Sequence, residues 1–464
     1  MSDILSSNLK SQPFILHLIN STSLLLAKEI RKEFLHLTDE ITSKFRANKK
    51  FNDGTDKISL VNPPTWKEVK GEVACFIDGG VGQKEFFSRI PLIIRSGIFR
   101  VITGERNLDI REKFEIYPVL VGELEQVKKE SQDYIAVTRI IIELLSTLKV
   151  IEDPDYSPTD ILISHGPLVH RLSQYSGHYI GEKDIVRILN NTRSANKIDA
   201  NNLIKEFRKN CDSCEHKSER CKKYMKSNIL MAVCFIQYIL ELIFSKIREN
   251  SNKPLLYGVV ERSRLKEYSK VLILPEIFLN YNDLFKDYNI ILSGDLQKDT
   301  RQLLNKTNYH DVLLLSLILE EGEYTKPFMA EKPEVFTGCK SDLEFMGKKL
   351  QDTIPFKYSY LKVKSNTFPI RIEFPAYFKE KEIETVINRA YMYSRLLPNY
   401  AFPIGLDIVD KFAKVPQWMT DAFTKLISIK LSIEASHQNL EEFKQLMGII
   451  LMQKRDWLYR PKII

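Results

Sequence analysis

The chain is poor in features that would tie it to a secreted or membrane-bound life. It has six cysteines in 464 residues, and three of them crowd between Cys211 and Cys221. That is not the spread framework of a disulfide-stapled secreted domain. The opening, "MSDILSSNLKSQPFILHLIN", lacks a basic start, and its apolar stretch is broken by polar residues, so no secretory layout is expected. The longest apolar run, "ILMAVCFIQYILELIF" from Ile229, contains Gln237 and Glu241 and falls short of a bilayer span. It reads as a buried or subunit-interface helix. Charge of one sign is also scarce: 68 basic against 60 acidic residues leave a net +8, which permits an anionic partner without demanding one. No internal repeat or low-complexity tract is visible. These absences predict a cytoplasmic protein with no membrane segment.

What is present is a mixed α/β pattern with helical additions. Residues 1–65 read as a helical N-terminal region whose end, "NDGTDKISLVNPPTWKE", is a loop-rich joint marked by Asp53-Gly54 and Pro63-Pro64. Residues 66–174 hold the first part of a sheet-based core. "EVACFID", "RSGIFRVITG" and "FEIYPVLVGEL" are short β-branched and aromatic runs that read as consecutive strands. A helix follows, with Val137, Ile140, Ile141, Leu144, Leu145 and Leu148 on one face, and then a strand in "TDILISHGPL". Residues 175–252 read as a helical insertion carrying the cysteine cluster. Residues 253–420 return to the core, with strands expected in "LLYGVVERS", "YNIILSGD" and "FPIRIEFPAYF". Residues 421–464 form a helical C-terminal region.

"CFIDGGVGQKEF", from Cys75 to Phe86, has the glycines of a phosphate-cradling loop but not its chemistry. Such a loop needs Gly-Lys followed by Ser or Thr; here Gln83 separates Gly82 from Lys84, and Glu85 stands at the hydroxyl position. No nucleotide-binding motif remains elsewhere. What survives is Asp78 at the end of a strand, with Gly79 and Gly80 leaving room beside it. On that dipeptide alone, a turn is the plainer reading. Two further positions change the balance. Glu143 lies beside the apolar stripe of the crossover helix, where it either faces the sheet edge or pairs with Arg139 four residues earlier. His165 sits where "ILIS" leaves its strand. A strand-end Asp, a helix Glu and a second strand-end ligand make a cluster of the kind that holds divalent metals for phosphodiester hydrolysis.

"FIDGG", "RIIIELL" and "ILISHGPLV" resemble the first three motifs of the NurA nucleases, which process DNA ends beside the HerA ring ATPase. "YGVVERSR", "HDVLLLSLILEEGEYTKPF", "RIEFPAYF" and "FPIGLDIVDKFAKV" resemble the later blocks in the same order, so the resemblance is collinear from about Val73 to Val415. It implies an RNase H-like core with helical N-terminal, inserted and C-terminal elements. It also implies a homodimer, a HerA-like hexameric ATPase partner, DNA as substrate in repair or in defence against foreign DNA, and manganese or magnesium as cofactor. Asp78, Glu143 and Asp410 carry over as metal ligands. Two positions depart from the family: the third-motif aspartate is His165 here, and a lysine of the fourth block is Glu261, although Arg262 remains. Imidazole also ligates manganese, while the change removes one negative charge. Arg262 and Arg264 are candidate DNA-backbone contacts.

"CDSCEHKSERC" supplies Cys211, Cys214, His216 and Cys221, a set that can close a tetrahedral structural zinc site or stay as free thiols in a charged loop. The leading expectation is a metal-dependent DNA nuclease. The alternative is a catalytically degraded structural subunit or DNA clamp of the ATPase complex, with His165 as the mark of the lost site.

Overall fold

The computed structural model describes residues 18–29, 43–47, 56–84, 86, 89–125, 128–156, 158–168, 185–190, 202–206, 209, 228–249, 254–275, 293–307, 309–329, 355–398, 400–438 and positions 441, 444, 445 and 448. The cysteine segment from Cys211 to Cys221 lies outside them. In chain order the strands are β1 (Ile58–Leu60), β2 (Val73–Gln83), β3 (Arg89–Ile102), β4 (Glu112–Glu125), β5 (Ile161–His165), β6 (Leu255–Val260), β7 (Glu323–Thr325), β8 (Phe356–Leu361) and β9 (Ile370–Pro375). The main helices are α1 (Lys128–Glu152), α2 (Asn228–Glu249), α3 (Leu296–Thr307), α4 (Asp311–Ile318), α5 (Glu380–Ser394), α6 (Ile404–Ala413) and α7 (Gln417–Gln438). The chain forms two compact units: a smaller one of residues 1–60, 262–326 and 360–370, and a larger one of 61–261, 327–359 and 371–464.

In the larger unit, β2, β3 and β4 form an antiparallel meander. The helix α1 then carries the chain across to β5, which lies parallel beside β2, and β6 lies parallel beside β5. β9 runs antiparallel to β6. A meander extended on its first strand by parallel strands is the RNase H-like order, so the expected α/β class holds. Both faces of this sheet are covered, which is why its strands read as nearly continuous apolar runs. Cys75, Ile77, Leu92, Ile94 and Ile98 point into one core, shared with α1 and α2. Phe76 points the other way, toward Phe99 (6.0 Å between ring centroids) and Tyr393 of α5 (5.5 Å).

The stripe expected on α1 is buried throughout, but so is everything else in residues 140–150. The cause is α2, which packs against α1. Its residues Phe235, Ile236, Ile239, Leu240, Ile243, Phe244 and Ile247 are buried in the shared core. The apolar run from Ile229 is therefore core in this described part. The side chain of Cys234 lies outside the described set. Among the described residues, no helix is long and apolar enough to cross a membrane.

In the smaller unit, β1 pairs antiparallel with β7. This strand lies inside the segment expected to be a loop. Three residues between turn signals are too short for a strand pattern, and β1 exists because β7 pairs with it. Residues 288–292 of the expected strand "YNIILSGD" lie outside the described residues. The remainder leads into α3, where Asp299 accepts hydrogen bonds from the backbone N–H and hydroxyl of Ser293 at 3.0 and 2.7 Å. The carboxylate of Asp311, at the start of α4, is fully buried and accepts from Ser269 N at 2.8 Å, Tyr268 N at 3.3 Å and the Tyr360 hydroxyl at 2.8 Å.

Candidate metal centre

Asp78 does not end its strand. β2 continues through both glycines to Gln83, paired with β3 the whole way. What ends beside Asp78 is the neighbouring strand: the last β2–β5 pair is Ile77 with Ser164. Beyond it β2 has no β5 partner, so Asp78 lies at the carboxyl end of β5, the usual place for ligands in parallel arrangements. His165 is the last residue of β5, and Gly166 follows with φ +95°, a turn conformation that glycine adopts without strain.

The glycines serve close approach rather than a turn. A Cβ on Gly80, on the same side of β2 as Asp78, would stand 2.0 Å from the carbonyl oxygen of Ala413. The end of α6 can therefore lie directly on the strand and bring Asp410 over Asp78. A Cβ on Gly79, on the opposite side, would stand 2.5 Å from Oε1 of Glu143. One bare strand thus admits a helix on each face, and each helix delivers a carboxylate.

The ligand atoms of Asp78, His165 and Asp410 all lie within 4.8 Å of one another. Asp78 is buried, His165 half-buried and Asp410 exposed. Oδ2 of Asp78 lies 2.8 Å from Nδ1 of His165, and Oδ1 accepts from the Gly79 N–H at 2.7 Å. The ring of Phe402, from the loop entering α6, lies 5.2 Å from that of His165. Phe402 has no chemical signature in the sequence beyond preceding Pro403 at a helix start.

Glu143 is 5% exposed. Its Oε1 lies 3.2 Å from Nε of Arg139 and makes no hydrogen bond of good geometry among the described residues. Glu143 thus pairs with Arg139 and lies against Gly79 of β2, beside the cluster. It is not among the three residues whose ligand atoms converge.

The electrostatics follow from the crowding. Burial pushes the Glu143 carboxyl up to about 7, with the charge of Asp78 adding and those of Arg139 and His165 opposing. Burial and then the Asp78 charge raise Asp410, against His165 and Lys414. Burial lowers His165, but its hydrogen bond to Asp78 and the charges of Asp78, Glu143 and Asp410 outweigh this and hold it above the ordinary histidine value. Two carboxylates and an imidazole converge, with a third, buried carboxylate alongside. That donor set fits a divalent ion that accepts both oxygen and nitrogen, as manganese does.

Arg262 and Arg264 are exposed and belong to the smaller unit, and Glu261, at the end of the larger unit's segment, is exposed as well.

No curated protein sequence matches the chain. Solved structures with similarity to it include the NurA nuclease from Sulfolobus solfataricus, at 16% identity over 90% of this chain and 97% of that one, with a TM-score of 0.49. Another is NurA bound to dAMP and manganese, at 11% identity over 87% of this chain and 94% of that one, with a TM-score of 0.46. A sequence profile of the NurA domain matches residues 72–415, well over half of the chain and a span that includes Asp78, Glu143, His165 and Asp410; the chain belongs to the NurA family.

Proposed function

We propose that the protein is a divalent-metal-dependent nuclease that hydrolyses phosphodiester bonds of DNA, with manganese as its preferred ion and magnesium as the weaker substitute. The convergence of Asp78, His165 and Asp410 within 4.8 Å carries this reading. Asp78, His165 and Asp410 hold the ion, and Glu143 borders it. Once bound, the ion supplies Lewis acidity and positive charge for attack of water on the phosphodiester. His165 gives up its proton on ligation, so the site should fill better as pH rises. Glu143, with its carboxyl near neutrality, can exchange a proton at physiological pH, and Arg139 keeps it oriented. Arg262 and Arg264 contact the DNA backbone, which adds affinity without base preference.

The partner in this reading is a HerA-like hexameric ATPase, which would supply the nucleotide-driven movement for which this chain has no motif, in DNA end processing or in defence against foreign DNA in the cytoplasm. The chain acts as a homodimer. Support for a dimer comes from α7, where Trp418, Leu426, Ile429 and Ile433 are 67, 56, 54 and 53% exposed at helical spacing. The segment with Cys211, Cys214, His216 and Cys221 binds one structural zinc.

The test is cleavage of linear DNA with manganese, with and without the ATPase. Asp78→Asn keeps the shape but removes charge, so cleavage should fall to background while thermal unfolding stays cooperative. His165→Asp restores the family residue and should retain or raise activity. One observation favours a second reading, a degraded structural subunit: Asp78 is already engaged by an imidazole where the family has an acid. Cleavage by His165→Asp but not by wild type would decide for it.

A further inference from the structure

β9 carries two charged residues inside the larger unit. Arg371 and Glu373 are each 6% exposed, and a guanidinium nitrogen of Arg371 lies 2.7 Å from Oε1 of Glu373. Arg371 also lies over the ring of Tyr358, 5.8 Å from its centroid. A buried ion pair is a poor stabiliser, because desolvation of both charges consumes most of their attraction. What distinguishes this pair is the other oxygen of Glu373. It accepts the backbone N–H of Leu168 at 2.8 Å, three residues past His165.

The reach is built into the sheet. Glu373 stands opposite Gly258 in the β6–β9 register. A Cβ on Gly258 would stand 2.6 Å from the carbonyl oxygen of Gly166 and 3.1 Å from the nitrogen of Leu168. Residues 166–168 therefore lie directly on the bare backbone of β6, and Glu373 reaches them from the next strand. At the near end of the segment, Gly166 N donates to Val259 O at 2.8 Å. The backbone leaving His165 is thus tied on both sides of Pro167, once by β6 and once by a charged side chain.

We propose that Glu373 is a positioning residue. Through the Leu168 amide it fixes the chain leaving His165, and so holds the imidazole against Asp78 in the arrangement that accepts a divalent ion; Arg371, 2.7 Å away, holds Glu373 in place. This rests on the reading of Asp78, His165 and Asp410 as the ion site.

Binding of Mn2+ to the full chain, followed by the EPR signal of free Mn2+, tests it with three variants. Glu373→Asp keeps the charge but shortens the reach to Leu168, Glu373→Ala removes both, and Ile372→Val on the same strand is a core control that leaves Leu168 untouched. Glu373→Asp and Glu373→Ala should weaken Mn2+ binding by about 10- to 100-fold. Ile372→Val should bind as wild type whatever its thermal midpoint. In metal-free protein, the 15N resonance of His165 Nδ1 should move in Glu373→Asp and stay in Ile372→Val. Glu373→Asp carries the test if Glu373→Ala does not fold. Wild-type affinity in Glu373→Asp with an unmoved His165 resonance would overturn the proposal. If wild type binds no Mn2+, the ion-site reading fails, and the His165 resonance alone decides whether Glu373 positions it.

Discussion

Two buried carboxylates, Glu143 in the larger unit and Asp311 in the smaller, share burial and its effect on their pKa but differ in their partners. Both are pushed up, Glu143 to about 7 and Asp311 to about 6, and burial is the first cause in each. Asp311 is surrounded by donors: two backbone amides and a tyrosine hydroxyl point at it. Glu143 is surrounded by charges of both signs, Arg139, Asp78 and His165, and its Oε1 makes no hydrogen bond of good geometry among the described residues. A raised carboxyl pKa therefore does not identify a working site. The partners separate the two: neutral donors lock Asp311 into the scaffold, whereas Glu143 stands among charges of both signs beside the converging ligand atoms.

Glu143→Gln is the sharpest way to break the contrast. Cleavage should fall by orders of magnitude, while stability at pH 8 should rise because a buried charge has been removed. The pH dependence has a definite sign. The folded protein keeps the Glu143 proton to about pH 7, and the unfolded chain releases it near 4.5. Its contribution to stability is full below that lower value and is lost as pH rises through this window. Thermal midpoints of metal-free protein between pH 4 and 8 should therefore fall less steeply in Glu143→Gln than in wild type.

Asp311→Ala is the converse. It strands three buried donors and should destabilise the fold by about 3 kcal/mol, with cleavage per folded molecule unchanged. Denaturant titration alongside an activity assay separates the two readouts, and loss of activity in fully folded Asp311→Ala would erase the distinction. The smallest effect belongs to Lys84, the lysine of the apparent phosphate loop. Its ion pair with Asp421 is partly solvent-exposed, so Lys84→Ala should cost less than about 1 kcal/mol and leave cleavage as it was.

Much of the larger unit was legible in the sequence because its elements carry strong local patterns. The β-branched runs of β2, β3 and β5 and the apolar stripe of α1 follow from spacing alone. The limits of β2 did not, because Asp-Gly-Gly reads locally as a turn and only the full pairing with β3 shows that the strand continues. β1 was invisible for the same reason, since its existence depends on β7.

The sequence by itself determined the four acidic and imidazole positions, the order of strands and helices around them, and the absence of a phosphate loop. These are properties of residue type and local spacing. Only the tertiary structure decided which of the four converge. It set Asp78 in mid-strand where β5 ends, brought Asp410 over it by laying α6 on Gly80, and kept Glu143 on the other face of β2. It also made core of Phe235, Ile239, Ile243 and Ile247, in the described part of the long apolar run and just past it, by packing α2 against α1. Such outcomes depend on which surfaces meet across the fold, and no stretch of chain encodes its own neighbour.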